Sequence, residues 1–247
     1  MRTMDGHQGV GETALKVRQL ATGSPADGAP EPARVDPAEL PAAGLDAVAS
    51  GAGLDQVRAL AAGCRACDLW RRATQTVFGA GPSGARLVLV GEQPGDREDV
   101  AGRPFVGPAG AVLDRALGAA GIGREAVFVT NVVKHFKWRP RGKRRLHERP
   151  DRAEVAACAP WLEAELAILR PEALVLLGAT AGKALLGPSF TLKAQAGRPV
   201  ESDLAPWVLA TIHPSAVLRA PGGEARRVAF ERLVEDLRLA RGHLAQG

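Results

Sequence analysis

The sequence predicts an α/β fold, a three-layer α/β/α sandwich around a central, largely parallel four-stranded sheet. Three observations lead there. From residue 86 onward, short apolar runs rich in β-branched residues alternate with amphipathic stretches of helical period. The runs are apolar on both faces, which suits strands covered by helices on each side. The order strand, helix, strand repeats along the chain, the pattern of a layered fold with a parallel sheet.

Taken in order, the first fifty residues stand apart. The stretch "ATGSPADGAPEPARVDPAELPAAG" is rich in Pro, Ala and Gly and holds no aromatic residue. It cannot bury enough apolar surface to offset the entropy of ordering, so residues 1–50 are expected to form a flexible leader before one domain spanning 51–247. The leader carries four Lys+Arg against seven Asp+Glu, a net −3; with the whole chain at +5, residues 51–247 carry +8. A basic folded part suits a polyanionic partner, although solubility alone would also account for it. Of three cysteines, Cys64 and Cys67 form "CRAC" and Cys158 stands alone. An odd count with no apolar export signal argues against a disulfide framework; "CRAC" has metal-ligand spacing, but a redox pair or two buried small side chains would read the same.

The four expected strands are "RLVLV" (86–90), "AVFVT" (126–130), "ALVLL" (173–177) and "WVLAT" (207–211). Between the first two, "GAVLDRALGAA" places Val112, Leu113, Ala116 and Leu117 on one helix face. "DRAEVAACAPWLEAELAIL" opens with Asp151 as N-cap and Glu154 three residues on, a capping-box arrangement. Its Pro160 predicts a kink or break. "EARRVAFERLVEDLRLAR" reads as a last amphipathic helix. No apolar run approaches the roughly 18 residues of a membrane span, so a cytoplasmic, membrane-free monomer is expected.

Each strand is followed by a loop of unusual composition: "GEQPG", then "NVVKH" and a basic run, then "GAT", then "IHPS". Ligands of open parallel sheets bind outside the carboxyl ends of the strands. Glu92, Asn131, His147 and His213 would then share one rim. The basic run, "RGKRRLHERP", sets His147 among cations that disfavour its protonation. Alone, such a run reads as a solvated nucleic-acid patch with an incidental histidine.

Together, "GEQPGDREDVAGRPFVGPAG", "TNVVKH", "GKRRLH" and "HPSAVLR" resemble family 4 of the uracil-DNA glycosylase superfamily, and within it the UdgX-type branch that holds uracil-DNA covalently. The resemblance covers roughly residues 54 to 240. It implies a DNA-repair enzyme that flips uracil out of the stack and cleaves its bond to deoxyribose. Asn131, Phe105 and Gln93 would bind the base, with Phe105 a stacking face or plain packing. His213 would stabilise the departing uracil anion. Glu92 would serve the sugar cation; Asp96 would support it or be a solvated surface carboxylate. Lys143, Arg144, Arg145, Ser215 and Arg219 would contact DNA. Ordinary family 4 members lack the "KRRLH" insertion; in the UdgX branch the matching histidine, here His147, replaces water as acceptor of the anomeric carbon.

Family 4 supplies four cysteines to an iron–sulfur (4Fe-4S) cluster, and this chain has three. The resemblance puts His135 at the missing position, giving Cys64, Cys67, His135 and Cys158 as ligands. A Cys₃His set also suits zinc. Two rivals remain: a conventional turnover glycosylase with His147 merely lining the groove, and a noncatalytic, metal-stabilised nucleic-acid-binding module.

Overall fold

A computed structural model of the chain describes Asp36 and residues 38–246. Its centre is a sheet of five strands. In chain order β1 (Leu87–Gly91), β2 (Val127–Asn131), β5 (Ala173–Leu177) and β7 (Trp207–Thr211) are parallel, and the short β6 (Pro199–Val200) pairs antiparallel to β7 at one edge, giving the order β2-β1-β5-β7-β6. The four parallel strands are the expected ones, the first two shifted by one residue; the fifth was missed because two residues carry no periodicity.

Side chains alternate across the sheet as strand geometry dictates. Val88, Val90, Leu174, Leu176 and Val208 face one layer, and Leu87, Leu89, Val129, Val175 and Leu209 the other, all 0–2% exposed. The first layer contains α1 (Leu40–Ala49), α2 (Leu54–Ala61), α5 (Arg152–Leu169) and α6 (Ala179–Leu186). The second contains α4 (Pro108–Ala120), α8 (Pro214–Arg219) and α9 (Gly222–Leu244). Short α3 (Asp96–Ala101) and α7 (Leu192–Gln195) complete the chain. Among the described residues, no helix is long and apolar enough to cross a membrane.

Two helical expectations change. α1 lies inside the segment assigned to the leader: Gly44 packs on the buried Trp161 of α5, so closely that a Cβ there would stand 2.4 Å from the indole ring. Order therefore begins by residue 40, while residues 1–35 lie outside the described part. The expected break at Pro160 is absent, and α5 runs unbroken. Proline removes one N–H bond, but Trp161, Leu162 and Ala164 beside it are buried, and their packing holds the helix through the gap. The capping box is present: Asp151 accepts from Glu154 N at 3.0 Å, and Glu154 accepts from Asp151 N at 2.8 Å.

The basic run is not an unstructured loop. It forms an antiparallel ribbon of β3 (Trp138–Arg141) and β4 (Arg144–His147), with Trp138 opposite His147. Gly142 supplies the positive φ of 59° that such a two-residue hairpin loop needs.

Candidate active site

The carboxyl ends of β1, β2, β5 and β7 deliver Glu92, Asn131, Thr180 and His213 to one rim, and the ribbon adds His147. Asn131 ends β2 beside Gly91 of β1. It is 3% exposed, and its Oδ1 has no hydrogen-bond partner among the described residues. A buried acceptor is seldom left unpaired, so this oxygen marks where a ligand donor belongs. Gly91 keeps the place open: a Cβ there would lie 2.4 Å from Asn131 Oδ1 and 2.7 Å from the Phe105 ring. Phe105 is held in the left-handed region (φ 55°), which few non-glycine residues adopt. Gly110 permits this, since a Cβ at that position would meet Phe105 O at 1.9 Å. The Phe105 and His213 rings stand 6.0 Å apart.

His213 caps α8. Its Nδ1 accepts from Ser215 N at 3.1 Å and faces Ser215 Oγ at 2.7 Å, while Arg219 Nη1 donates to that hydroxyl at 2.9 Å. A backbone N–H can only donate, so the neutral ring carries its proton on Nε2. Burial first, then Arg219 and His147, push its pKa down to about 4. A neutral N–H donor is thereby fixed at this corner. Ser215 and Arg219, expected on phosphates, also form the relay that sets its tautomer.

His147 Nε2 stands 3.6 Å from Glu92 Oε1. Glu92 Oε2 accepts from the Thr180 hydroxyl and faces Arg149 Nε at 3.8 Å. Desolvation, followed by Arg219 and Arg149, lowers the His147 pKa below its ordinary value against the opposing pull of Glu92. Of the cations of "RGKRRLHERP", expected together to disfavour protonation, Arg149 contributes, after burial and Arg219. Arg145 is matched instead: its Nε meets Asp96 at 2.5 Å and its Nη1 meets Asp99 at 2.5 Å. Arg145 is thus a tie between the ribbon and α3, and Asp96 pairs with Arg145; among the described residues it makes no hydrogen bond or ion pair with Glu92. Lys143 and Arg144 remain exposed.

Gln93 also departs from expectation. Its Nε2 donates to Lys137 O (3.2 Å) and Glu148 O (2.9 Å), and its Oε1 accepts from Lys137 N (3.1 Å). Both N–H groups of the amide are spent bracketing the base of the ribbon, so its side chain has no donor left for a base. Sequence reasoning also missed a buried pair below Asn131. Lys134 and Glu165 are 0% exposed and 2.7 Å apart; Lys134 Nζ also donates to Thr130 Oγ1 (2.6 Å) and to Asn131 O (2.8 Å). A lysine in the apolar context of "NVVKH" was the available signal. Arg149 was counted only among the cations of the basic run, and Thr180 lay unremarked in "GAT".

A model of the uracil DNA glycosylase superfamily matches residues 78–238, which takes in Glu92, Asn131, His147 and His213. The chain belongs to that superfamily. It is 40% identical over 169 residues to a type-4 uracil-DNA glycosylase of Thermotoga maritima, covering 68% of this chain and 84% of the relative. It is 38% identical over 175 residues to the type-4 enzyme of Pyrobaculum aerophilum (68% and 86%) and 37% identical over 167 residues to that of Archaeoglobus fulgidus (64% and 79%).

The four expected metal ligands of this glycosylase-superfamily chain lie in one neighbourhood. Burial, with Cys64 and Cys67 adding to it, raises the Cys158 thiol to about 12. His135 and Cys64 line a cavity of about 190 Å³, and His135 Nε2 is 2.9 Å from Thr76 Oγ1. Burial lowers the His135 pKa to about 4, keeping a neutral imidazole. Among the described residues, no three His, Cys, Asp or Glu side chains converge closely enough to bind a metal ion. The donor set itself, three thiols and a neutral imidazole, of which Cys64 and His135 line one cavity, suits by its chemistry a soft metal or an iron–sulfur cluster.

Proposed function

We propose that this chain excises uracil from DNA and that His147 captures the deoxyribose it leaves, as in the UdgX-type branch. The observation that carries the reading is the placement of His147 Nε2, 3.6 Å from the Glu92 carboxylate on the rim that Asn131 and His213 share.

The flipped base would enter beside Phe105. Asn131 Oδ1, buried without a partner, suits the imide N–H of uracil, and its amide N–H suits the neighbouring carbonyl. Cytosine offers no N–H at that ring position. As the bond from C1′ to the base breaks, the electron pair leaves with uracil, and the neutral His213 N–H stabilises the anion. The sugar is left as a cation facing Glu92. The neutral His147 ring supplies a lone pair, which forms a bond to C1′. The resulting imidazolium gives up its remaining proton, for which Glu92 is the nearest base. A neutral N-alkyl imidazole is a poor leaving group, so the reaction stops there. The exposed Lys143 and Arg144 would hold flanking phosphates.

Cys64, Cys67, His135 and Cys158 would hold an iron–sulfur cluster. Bound there, it would tie together the "CRAC" turn, the segment after β2 and α5, and no step of excision runs through it. A conventional turnover glycosylase is the reading that the type-4 relatives favour. The two readings separate on product count. With uracil-containing oligonucleotide in excess, the capture reading expects uracil release to stop at one equivalent per protein, and release of many equivalents would refute it. DNA binding without any base release would select a noncatalytic module.

A further inference from the structure

We propose that Thr180 is a positioning residue for this reaction, its hydroxyl fixing the Glu92 carboxylate so that Oε1 faces His147. The inference rests on the reading of Glu92 as the carboxylate that serves the sugar cation.

Glu92 has one oxygen for each of two tasks. Oε2 accepts from the Thr180 hydroxyl and faces Arg149, which leaves Oε1 turned to His147 Nε2 at 3.6 Å. That distance exceeds a hydrogen bond, so His147 does not itself lock the carboxylate. Arg149 is 80% exposed along its side chain and lies 3.8 Å away, a weak constraint in solvent. Thr180 is the part-buried contact and the one within hydrogen-bond reach. A carboxyl free to turn about its last torsion would present either oxygen, or neither, to the ring.

The backbone around Thr180 is built to hold it. β5 pairs directly with β1, so the turn after β5 emerges next to the turn that carries Glu92. Gly178 opens this turn at φ 97°, a conformation side chains disfavour, and its N–H donates to Thr211 O at 2.8 Å. A Cβ at Gly178 would also press on His213 Cβ at 3.0 Å. The span 178–180 therefore joins two reacting groups: Gly178 makes room for His213, and Thr180 orients Glu92. The hydroxyl is engaged by the carboxylate, and it acts on the reaction through that group.

The test compares Thr180→Val, which keeps the shape and loses the hydroxyl, with Thr180→Ser, which keeps the hydroxyl and loses a methyl. Single-turnover uracil release from an oligonucleotide should fall about tenfold or more in Thr180→Val, the scale of one hydrogen bond to a charged group. Thr180→Ser should stay close to wild type. Packing alone would give the reverse order. On a Glu92→Gln background, Thr180→Val should add little, because the two act as a unit. A measurement independent of activity is the NMR titration of the His147 ring in the free protein. Releasing the carboxylate should lower its midpoint in Thr180→Val and leave it unchanged in Thr180→Ser. Equal rates in wild type and Thr180→Val, or a titration midpoint unmoved by Val, would overturn the proposal. If the wild-type chain released no uracil, the functional reading would fail, while the titration would still decide whether Thr180 holds Glu92.

Discussion

Replacing Lys134 by methionine removes a charge from a site with no exposure to water. Its ammonium has three N–H groups and three acceptors: Thr130 Oγ1 at 2.6 Å, Asn131 O at 2.8 Å and Glu165 Oε2 at 2.7 Å. Methionine fills similar volume, so the cost lies in what is left behind. Glu165 would keep Gly79 N (2.8 Å) and the Thr130 hydroxyl (2.6 Å) but lose its counter-charge. Breaking a buried pair from one side costs about 3–5 kcal/mol, and the two surviving donors place this case near 3. That is a large share of a domain stability of about 5–15 kcal/mol. The double variant Lys134→Met/Glu165→Gln buries no charge and keeps an amide oxygen for Gly79 N, so it should be more stable than the single one. Urea unfolding followed by circular dichroism measures both. A single-variant loss below about 1 kcal/mol, or a double variant less stable than the single, would refute this account of the pair. The folded double variant should also release uracil more slowly than wild type, because the carbonyl of Asn131 has lost its donor.

Three further outcomes follow from the site. Arg144→Ala should lower the salt dependence of DNA binding by about one phosphate's worth while leaving base release intact, whereas Arg145→Ala frees the ribbon from Asp96 and the buried Asp99 and should slow the chemistry itself; equal effects in both assays would contradict the division. His213 is depressed from 6.5 to about 4, so the unfolded chain binds the extra proton in that window. Its contribution to stability is therefore complete above pH 6.5 and is lost on descent towards pH 4, at no more than about 1.4 kcal/mol per pH unit, and His213→Asn should flatten that slope in acid denaturation. Purified protein should contain iron and acid-labile sulfide and show broad visible absorption; Cys158→Ala should lose colour and stability together, and one equivalent of zinc without iron would contradict the cluster.

The four parallel strands and the long helices were legible because apolar period and capping chemistry are local. Asp151 and Glu154 stand three residues apart and form their capping box whatever surrounds them. The convergence of Glu92, Asn131 and His213 was legible for a different reason: parallel strands must end on one side. What stayed hidden depends on partners distant in sequence. Nothing near Arg145 shows that its charge is matched from α3, some 46 residues away. Gln93 reads as a free amide until the ribbon folds over it, and Thr180 is an ordinary helix residue until β5 is known to lie beside β1. α1 was missed because its Pro- and Ala-rich sequence reads as linker, and only Trp161 of a later helix gives it a surface to cover.

The capture of deoxyribose by His147 is tested most directly by digesting wild-type protein after reaction with uracil-containing oligonucleotide and locating the added sugar-phosphate mass by tandem mass spectrometry. The account expects that mass on the peptide containing "LHERP", on His147 itself, at one adduct per protein, and expects His147→Ser to carry none while still releasing uracil. An adduct on any other residue, or a denaturation-resistant complex that persists in His147→Ser, would contradict it.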